Sequence, residues 1–403
     1  MSRLSVKRLL LSAALLVGGI VLVLATQLGM RLWHFHTLFD PERITQNFRS
    51  MPTIFQARPI PKGPASVPLQ TAPKALVERF HFQGRDQALG DWLVTSGTTG
   101  MLVMAADRVV YEQYFRGNRE DSRAISWSVG KSFVSALVGI ALKEGAIRDI
   151  RDPVSDYAPA LKGSGYDGVP LQDVLEMASG IAFNEDYADP EAGINQLGQT
   201  IALGGSVDAW VAQLKSAGAS GTEHHYVSVD TQVLGMVLKG ATGRDLADYM
   251  AEKLWSPLGA ECDGQWLTDN DGAEIAFGGL NLCLRDYARF GLLYLHEGRN
   301  LAGEQIVPRQ WVQQSVTPAK DFLRPGRYKE QGQPNLGYGY QWWVPQGDEG
   351  EYMAVGVYGQ FIYVNPTRRV VIAKTSAYAR YNEDGTRMEY ESLEAFRAIA
   401  RNL

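Results

Sequence analysis

The sequence predicts an α/β fold in which both ends of the chain build one antiparallel sheet, flanked by helices, around an inserted and mostly helical region. A transmembrane helix is expected at the amino terminus. Three observations predict this. Alternating, β-rich runs occur near residue 100 and again beyond residue 337; helix-period segments fill the interval between them; and an uncharged apolar run opens the chain. The 403 residues are 45% hydrophobic and 21% charged, which suits a folded protein and excludes collagen-like or disordered classes. A net charge of -5, from 44 acidic and 39 basic residues spread along the chain, argues against a nucleic-acid partner.

From Leu9 to Met30 no residue is charged, a length that suffices for a helix to cross the ~30 Å hydrocarbon core. Secretory signals carry a shorter apolar stretch, so an uncleaved anchor over 1–30 is expected, the alternative being a signal peptide cut near Ala25. Arg3, Lys7 and Arg8 precede the run and would keep the terminus cytoplasmic. The expected location is therefore the inner (cytoplasmic) membrane, single-pass, with the rest of the chain on the periplasmic side.

Residues 31–80 are read as a linker rich in proline (Pro52, Pro59, Pro61, Pro64, Pro68, Pro73), either a stiff spacer or a strap over the domain surface. Residues 81–403 then form one folded domain. Gly100 to Ala106 and Val109 to Phe115 read as a hairpin around Asp107 and Arg108. Ser128 to Glu144 is apolar on nearly every face and stops at Gly145, as a buried helix with a glycine C-cap would. Leu171 to Met177, Ser206 to Leu214, Val233 to Lys239, Leu246 to Leu254 and Leu284 to His296 are further helix candidates. Tyr338 to Val344, Tyr352 to Gly356, Gln360 to Val364 and Val370 to Thr375 read as strands, with Asn365-Pro366 turning between the last two. Cys262 and Cys283 are a candidate disulfide in an oxidising compartment, or two buried thiols.

Chemistry concentrates at the start of the buried helix. Ser128 and Lys131 stand at i and i+3, nearly one turn apart, an S-x-x-K arrangement that brings a hydroxyl beside an amine. The helix N-terminus favours an alkoxide and then an oxyanion, while apolar surroundings push the lysine toward its neutral, basic form. A lysine among Val, Phe, Leu, Ile and Ala has no inexpensive structural reason to be there. About a hundred residues later Tyr226 and Ser228 lie two apart, on one side of an extended segment, where a tyrosine beside a lysine could act as general base. His224 and His225 point to opposite sides of such a segment and make poor joint metal ligands. Asp269-Asn270-Asp271-Gly272 reads as a turn, because the distal glutamate of a calcium loop is absent. Tyr338, Tyr340 and Trp342 are expected on one strand face and Trp343 on the other.

SVGK at Ser128 to Lys131, YVS at Tyr226 to Ser228 and AVGVYGQ at Ala354 to Gln360 resemble, in order and spacing, the serine β-lactamase and penicillin-binding-protein superfamily. The strings MASGIAFNEDYADP, AFGGLNLCLRDYARFG and QWW make the chain most similar to the class C-like branch, with its 6-aminohexanoate-oligomer hydrolases and related esterases. The resemblance implies a β-lactamase/transpeptidase-like fold. It further implies an acyl-enzyme on Ser128, Lys131 as proton partner, and Tyr226 as the base that also protonates the leaving group. The oxyanion hole would be the N–H groups of Ser128 and Val357, or Tyr358 if the register slips by one. Tyr187 would contact an amide substrate, with Ser228, Gly356 and Tyr358 as further substrate-binding candidates. No metal or cofactor is implied. Where the K-T-G motif of β-lactamases would stand, this chain has Ala354, Val355 and Gly356, and Ser228 replaces the usual Asn. The implied activity is therefore cleavage of small esters or linear amides; a cell-wall D-alanyl peptidase, a β-lactamase or a silent scaffold of the same fold are the alternatives.

Overall fold

The computed structural model describes residues 3–403; of the side chains at 3–11, 13, 14, 23, 24, 27 and 28 nothing is described. Its centre is an eight-stranded sheet, in the order Gly337–Tyr338, Trp343–Val344, Tyr352–Gly356, Gln360–Asn365, Val370–Ser376, Thr98–Ala105, Arg108–Tyr114 and Gln70–Thr71. All pairings are antiparallel except the last. Both chain ends thus build the sheet. Ala106 and Asp107, at φ 46° and 67°, make the tight turn between Thr98–Ala105 and Arg108–Tyr114, where both central residues must be left-handed to match the strand twist.

Strand alternation divides the core. Leu102, Met104, Ile362, Val364 and Val371 face the helices Gly130–Lys143 and Leu284–Leu295, while Met101, Val103, Phe361, Tyr363 and Ile372 face the carboxy-terminal helix Tyr381–Asn402. The inserted helical layer, including Ser228–Thr242, packs on Gly130–Lys143 from the far side. A second, four-stranded sheet joins Ala57–Ile60, Gly264–Leu267, Leu280–Cys283 and Arg123–Ile125.

Four expectations need correction. The opening helix forms over Arg3–Thr37, yet among the described residues no helix is long and apolar enough to cross a membrane. This overturns the transmembrane anchor, the single-pass inner-membrane location and the membrane as partner. Beyond the apolar run the helix continues through Arg31, His34 and His36 to Thr37, and its Phe35 and His36 line a cavity of the folded unit. The side chains of Arg3, Lys7 and Arg8, on which the expected orientation rests, lie outside the described residues.

The segment read as spacer or strap is built into the domain, its later part adding the strand Gln70–Thr71 to the main sheet. Leu38, Ile44, Phe48, Met51 and Ile60 are buried, and Ala57–Ile60 pairs with Gly264–Leu267. Its apolar residues, not its prolines, decide its course. Tyr338 to Val344 is not one strand but a hairpin pairing Tyr338 with Trp343, turned at Gln341 with φ 63°. The simple alternation of its aromatics is lost: Tyr340 packs on Trp311 and Trp342 on Tyr294, while Tyr338 and Trp343 lie together. Finally, Tyr381–Asn402 is a helix absent from the sequence-based expectation, although Met388, Phe396, Ile399 and Ala400 carry a helical period.

Cys262 and Cys283 are joined in a disulfide across a separation of 21 residues, with their Cα atoms 6.3 Å apart. Closing a loop of that length in the unfolded chain stabilises by about 3 kcal/mol. The double Cys262→Ser, Cys283→Ser variant is expected to lose about that much in urea unfolding. The bond also occupies both thiols beside Asp286, so that group offers no thiolate to a metal.

Candidate active site

Strand Arg123–Ile125 runs into a single 3-10 turn, Trp127–Val129, and directly on into the helix Gly130–Lys143. Trp127 sits at φ 44°, in the left-handed region that a bulky residue occupies at a cost of about 1–3 kcal/mol. Its ring is clamped by Phe48 at 5.3 Å and by Phe39 and Tyr358 at 5.9 Å, so surrounding packing holds the strained turn. Ser128, the next residue, is 8% exposed and borders two cavities. Helix N-terminal N–H groups lie at the same point, where developing negative charge is favoured.

Lys131 is wholly buried one turn on. Its Nζ donates to Ser228 Oγ at 3.0 Å and to the Phe277 carbonyl at 2.9 Å, and lies 5.4 Å from the centre of the Tyr226 ring. Burial pulls the amine down to about 7, against the opposing charges of Glu185 and Asp230. Burial also pushes Asp230 up to about 8, which weakens that opposition near neutral pH. A neutral amine has two N–H groups and one lone pair. With two acceptors already met, the lone pair remains available for a proton.

Tyr226 is half-buried and stacks on Trp343 at 5.3 Å, with Tyr338 edge-on at 6.1 Å. Burial holds its phenol well above the usual tyrosine range, as does the charge of Glu185, while the Ser128 hydroxyl beside it acts in the opposite direction. The group is therefore kept as a neutral phenol, a proton donor first. His224 packs against Tyr338 and Trp343 and is held down to about 4 by burial, and the His225 ring meets the Phe183 carbonyl, so the two histidines diverge. Asp269 closes its own turn by accepting from the N–H groups of Asp271 and Ala273.

The strand Tyr352–Gly356 passes close to the nucleophile. A Cβ on Gly356 would lie 2.6 Å from the Ser126 carbonyl oxygen and 3.2 Å from Ser128 N, both immobile backbone atoms. Val357 and Tyr358, the latter at φ 63°, form the turn that follows, and both line a cavity with Ser128. Gly356→Ala must push strand and turn apart by several tenths of an ångström. We expect kcat to fall about 100-fold, with a loss of stability of about 1–3 kcal/mol from the overpacking; undiminished turnover would show that this close approach does not matter.

Tyr187 borders both cavities and donates to Glu185 at 2.9 Å. Glu185 was not singled out from sequence, yet it organises the site: it accepts from Ser228 Oγ at 2.5 Å and from Ser228 N at 2.9 Å, at the start of Ser228–Thr242. Phe277 and the Tyr381–Glu389 stretch were also missed. Of the anticipated residues, Ser128, Lys131, Tyr226, Ser228, Gly356, Val357, Tyr358 and Tyr187 come together around one point.

Comparison with known proteins gives the family. The beta-lactamase family model matches residues 93–396. The chain belongs to the beta-lactamase family. It is 30% identical to a 6-aminohexanoate-dimer hydrolase of Paenarthrobacter ureafaciens over 288 residues, 70% of this chain and 73% of that one. Among solved structures, a protein assigned as a 6-aminohexanoate-dimer hydrolase from Bacillus anthracis aligns with a TM-score of 0.80 at 23% identity, over 91% of this chain and 95% of the other. EstCE1, a hydrolase with promiscuous acyltransferase activity, aligns at 0.59 and 17% identity, over 77% and 96%. The beta-lactamase-like fold and serine-hydrolase class expected from the motifs are thus those of the family.

Proposed function

We propose that this family member cleaves small esters or linear amides through an acyl-enzyme on Ser128. One observation carries the reading: the buried amine of Lys131, brought down to about 7 by burial, lies 5.4 Å from the Tyr226 ring, one helical turn from the buried hydroxyl of Ser128. In this scheme neutral Lys131 draws the Ser128 proton away, directly or through the Tyr226 hydroxyl. The carbonyl oxygen becomes an oxyanion against the N–H groups of Ser128 and Val357, and Tyr226 donates to the departing alkoxide or amine. Water then enters on the same proton path to free the acid.

The D-alanyl peptidase and β-lactamase alternatives are less well supported. Both need a cation to hold a substrate carboxylate, and Ala354 offers none. Among the described residues that line the cleft the one cation, Arg387, pairs with Asp384 and Glu391. A silent scaffold gives no account of Lys131, whose burial costs stability without a catalytic return. Treatment with a fluorophosphonate probe, followed by intact-mass measurement, tests the assignment. One adduct on the native chain and none on Ser128→Ala is expected; equal labelling of both, or of neither, would sink it.

A further inference from the structure

Ser128 stands where two cavities of opposite character meet. One, of about 530 Å³, is lined by Tyr226 and Trp343 and by the carboxylates Glu185, Asp186, Glu330 and Glu389. Glu330 accepts from Tyr390 and Glu389 from Tyr381, and among the described residues neither carboxylate has an ion-pair partner. The other, of about 350 Å³, runs beneath the amino-terminal segment, between Phe35, Leu38, Phe39, Ile201 and Phe277. Among its described lining residues there is no carboxylate, lysine or arginine.

Tyr226 faces only the acidic cleft. If it protonates the leaving group, as the proposed function has it, the leaving group departs into that cleft and the acyl part of the substrate must lie on the opposite side of Ser128. We propose that the second cavity is an acyl-chain site, so that the preferred substrates are esters or amides of apolar, medium-chain acids with a leaving group that bears no negative charge. At a water-sized ~30 Å³ per carbon the cavity has room for a chain on the order of ten carbons. Its mouth is completed by Phe39, which stacks on Tyr358 at 4.9 Å, so the segment after the opening helix supplies a wall of the site. An ammonium at the far end of the chain would be buried without a carboxylate partner, and a carboxylate on the leaving group would meet a wall whose carboxylates outnumber its one described cation, Arg387, itself paired with Asp384 and Glu391.

The test is kcat/KM of the full chain for aryl esters from acetyl to dodecanoyl, with 6-aminohexanoyl beside hexanoyl. Each added methylene is expected to raise kcat/KM about three- to fourfold until the cavity is full. The 6-aminohexanoyl ester should be at least tenfold slower than the hexanoyl one. Gly198 lies on the helix Gly193–Ala202 at a negative φ, and a Cβ there would sit 3.6 Å from Phe35. The series Gly198→Ala, Gly198→Leu should therefore lower the ratio of octanoyl to acetyl turnover in graded steps, at least tenfold for leucine. Should leucine impair folding, the alanine variant and the chain-length profile of the native protein still decide. A flat or falling profile with good acetyl turnover, or faster cleavage of the aminohexanoyl ester, would overturn the acyl site while leaving the hydrolase reading intact. No turnover of any ester together with no fluorophosphonate adduct would overturn the hydrolase reading itself.

Discussion

Ser128→Ala is expected to lower kcat/KM for the best ester by about 10⁴-fold or more, the scale at which covalent catalysis is lost when its nucleophile is removed. The residual rate would come from groups the substitution leaves in place: the N–H donors at the helix start, and Lys131 acting on water. Stability should hardly change. The side chain is small, and the turn is held by the Trp127 ring cluster and by the Ser126 N–H on the Leu280 carbonyl at 2.7 Å rather than by the hydroxyl. Steady-state kinetics with a thermal melt checks both halves. A loss below tenfold would mean that another group carries the acyl transfer, and a large fall in Tm would mean that the serine is structural.

What could be read from the sequence follows from distance along the chain. Ser128 and Lys131 are neighbours on one helix, and Tyr226 and Ser228 on one extended segment, so local periodicity is enough to pair them. The sheet strands alternate clearly enough to be found, as does the turn at Asn365-Pro366. Glu185 reaches Ser228 across 43 residues, and nothing local marks that carboxylate as a partner of a helix start. The hairpin at Gln341 was hidden because its turn uses a left-handed glutamine where glycine or asparagine would have signalled it. The proline-rich stretch misled in another way. Proline density reports backbone stiffness, whereas burial of Leu38, Ile44 and Phe48 is decided by the surface they meet, which forms only once the second sheet is in place. The same holds for Phe39, whose place beside Tyr358 makes a segment read as linker part of the site.

Lys131→Met should separate catalysis from stability. Activity is expected to fall about 10³-fold, the usual worth of a positioned base. In the native chain kcat/KM should rise with pH through about 7 and level off above it, because the amine must be neutral to accept a proton. Two other groups near the site titrate in or next to the same range: Glu389, lining the cleft and pushed up to about 7 by burial, and Asp230, whose charge acts on Lys131 and which burial pushes up to about 8. Glu389→Gln should keep the limb, whereas Lys131→Met should abolish it. Stability should move the other way. The lysine falls from 10.5 unfolded to about 7 folded, so the unfolded chain binds the extra proton between those values. The resulting cost to folding is full at and below pH 7 and disappears as pH approaches 10.5; at pH 7 it is on the order of 5 kcal/mol. Methionine removes that cost but leaves Ser228 Oγ and the Phe277 carbonyl without their donor, at about 1–3 kcal/mol. A net gain on the order of 2 kcal/mol is expected in urea unfolding at pH 7, shrinking as the pH is raised. A variant that is less stable and still active would show Lys131 to be a structural hydrogen-bond donor; one that is more stable and inactive would show that the fold gives up stability to keep a neutral amine beside Ser128.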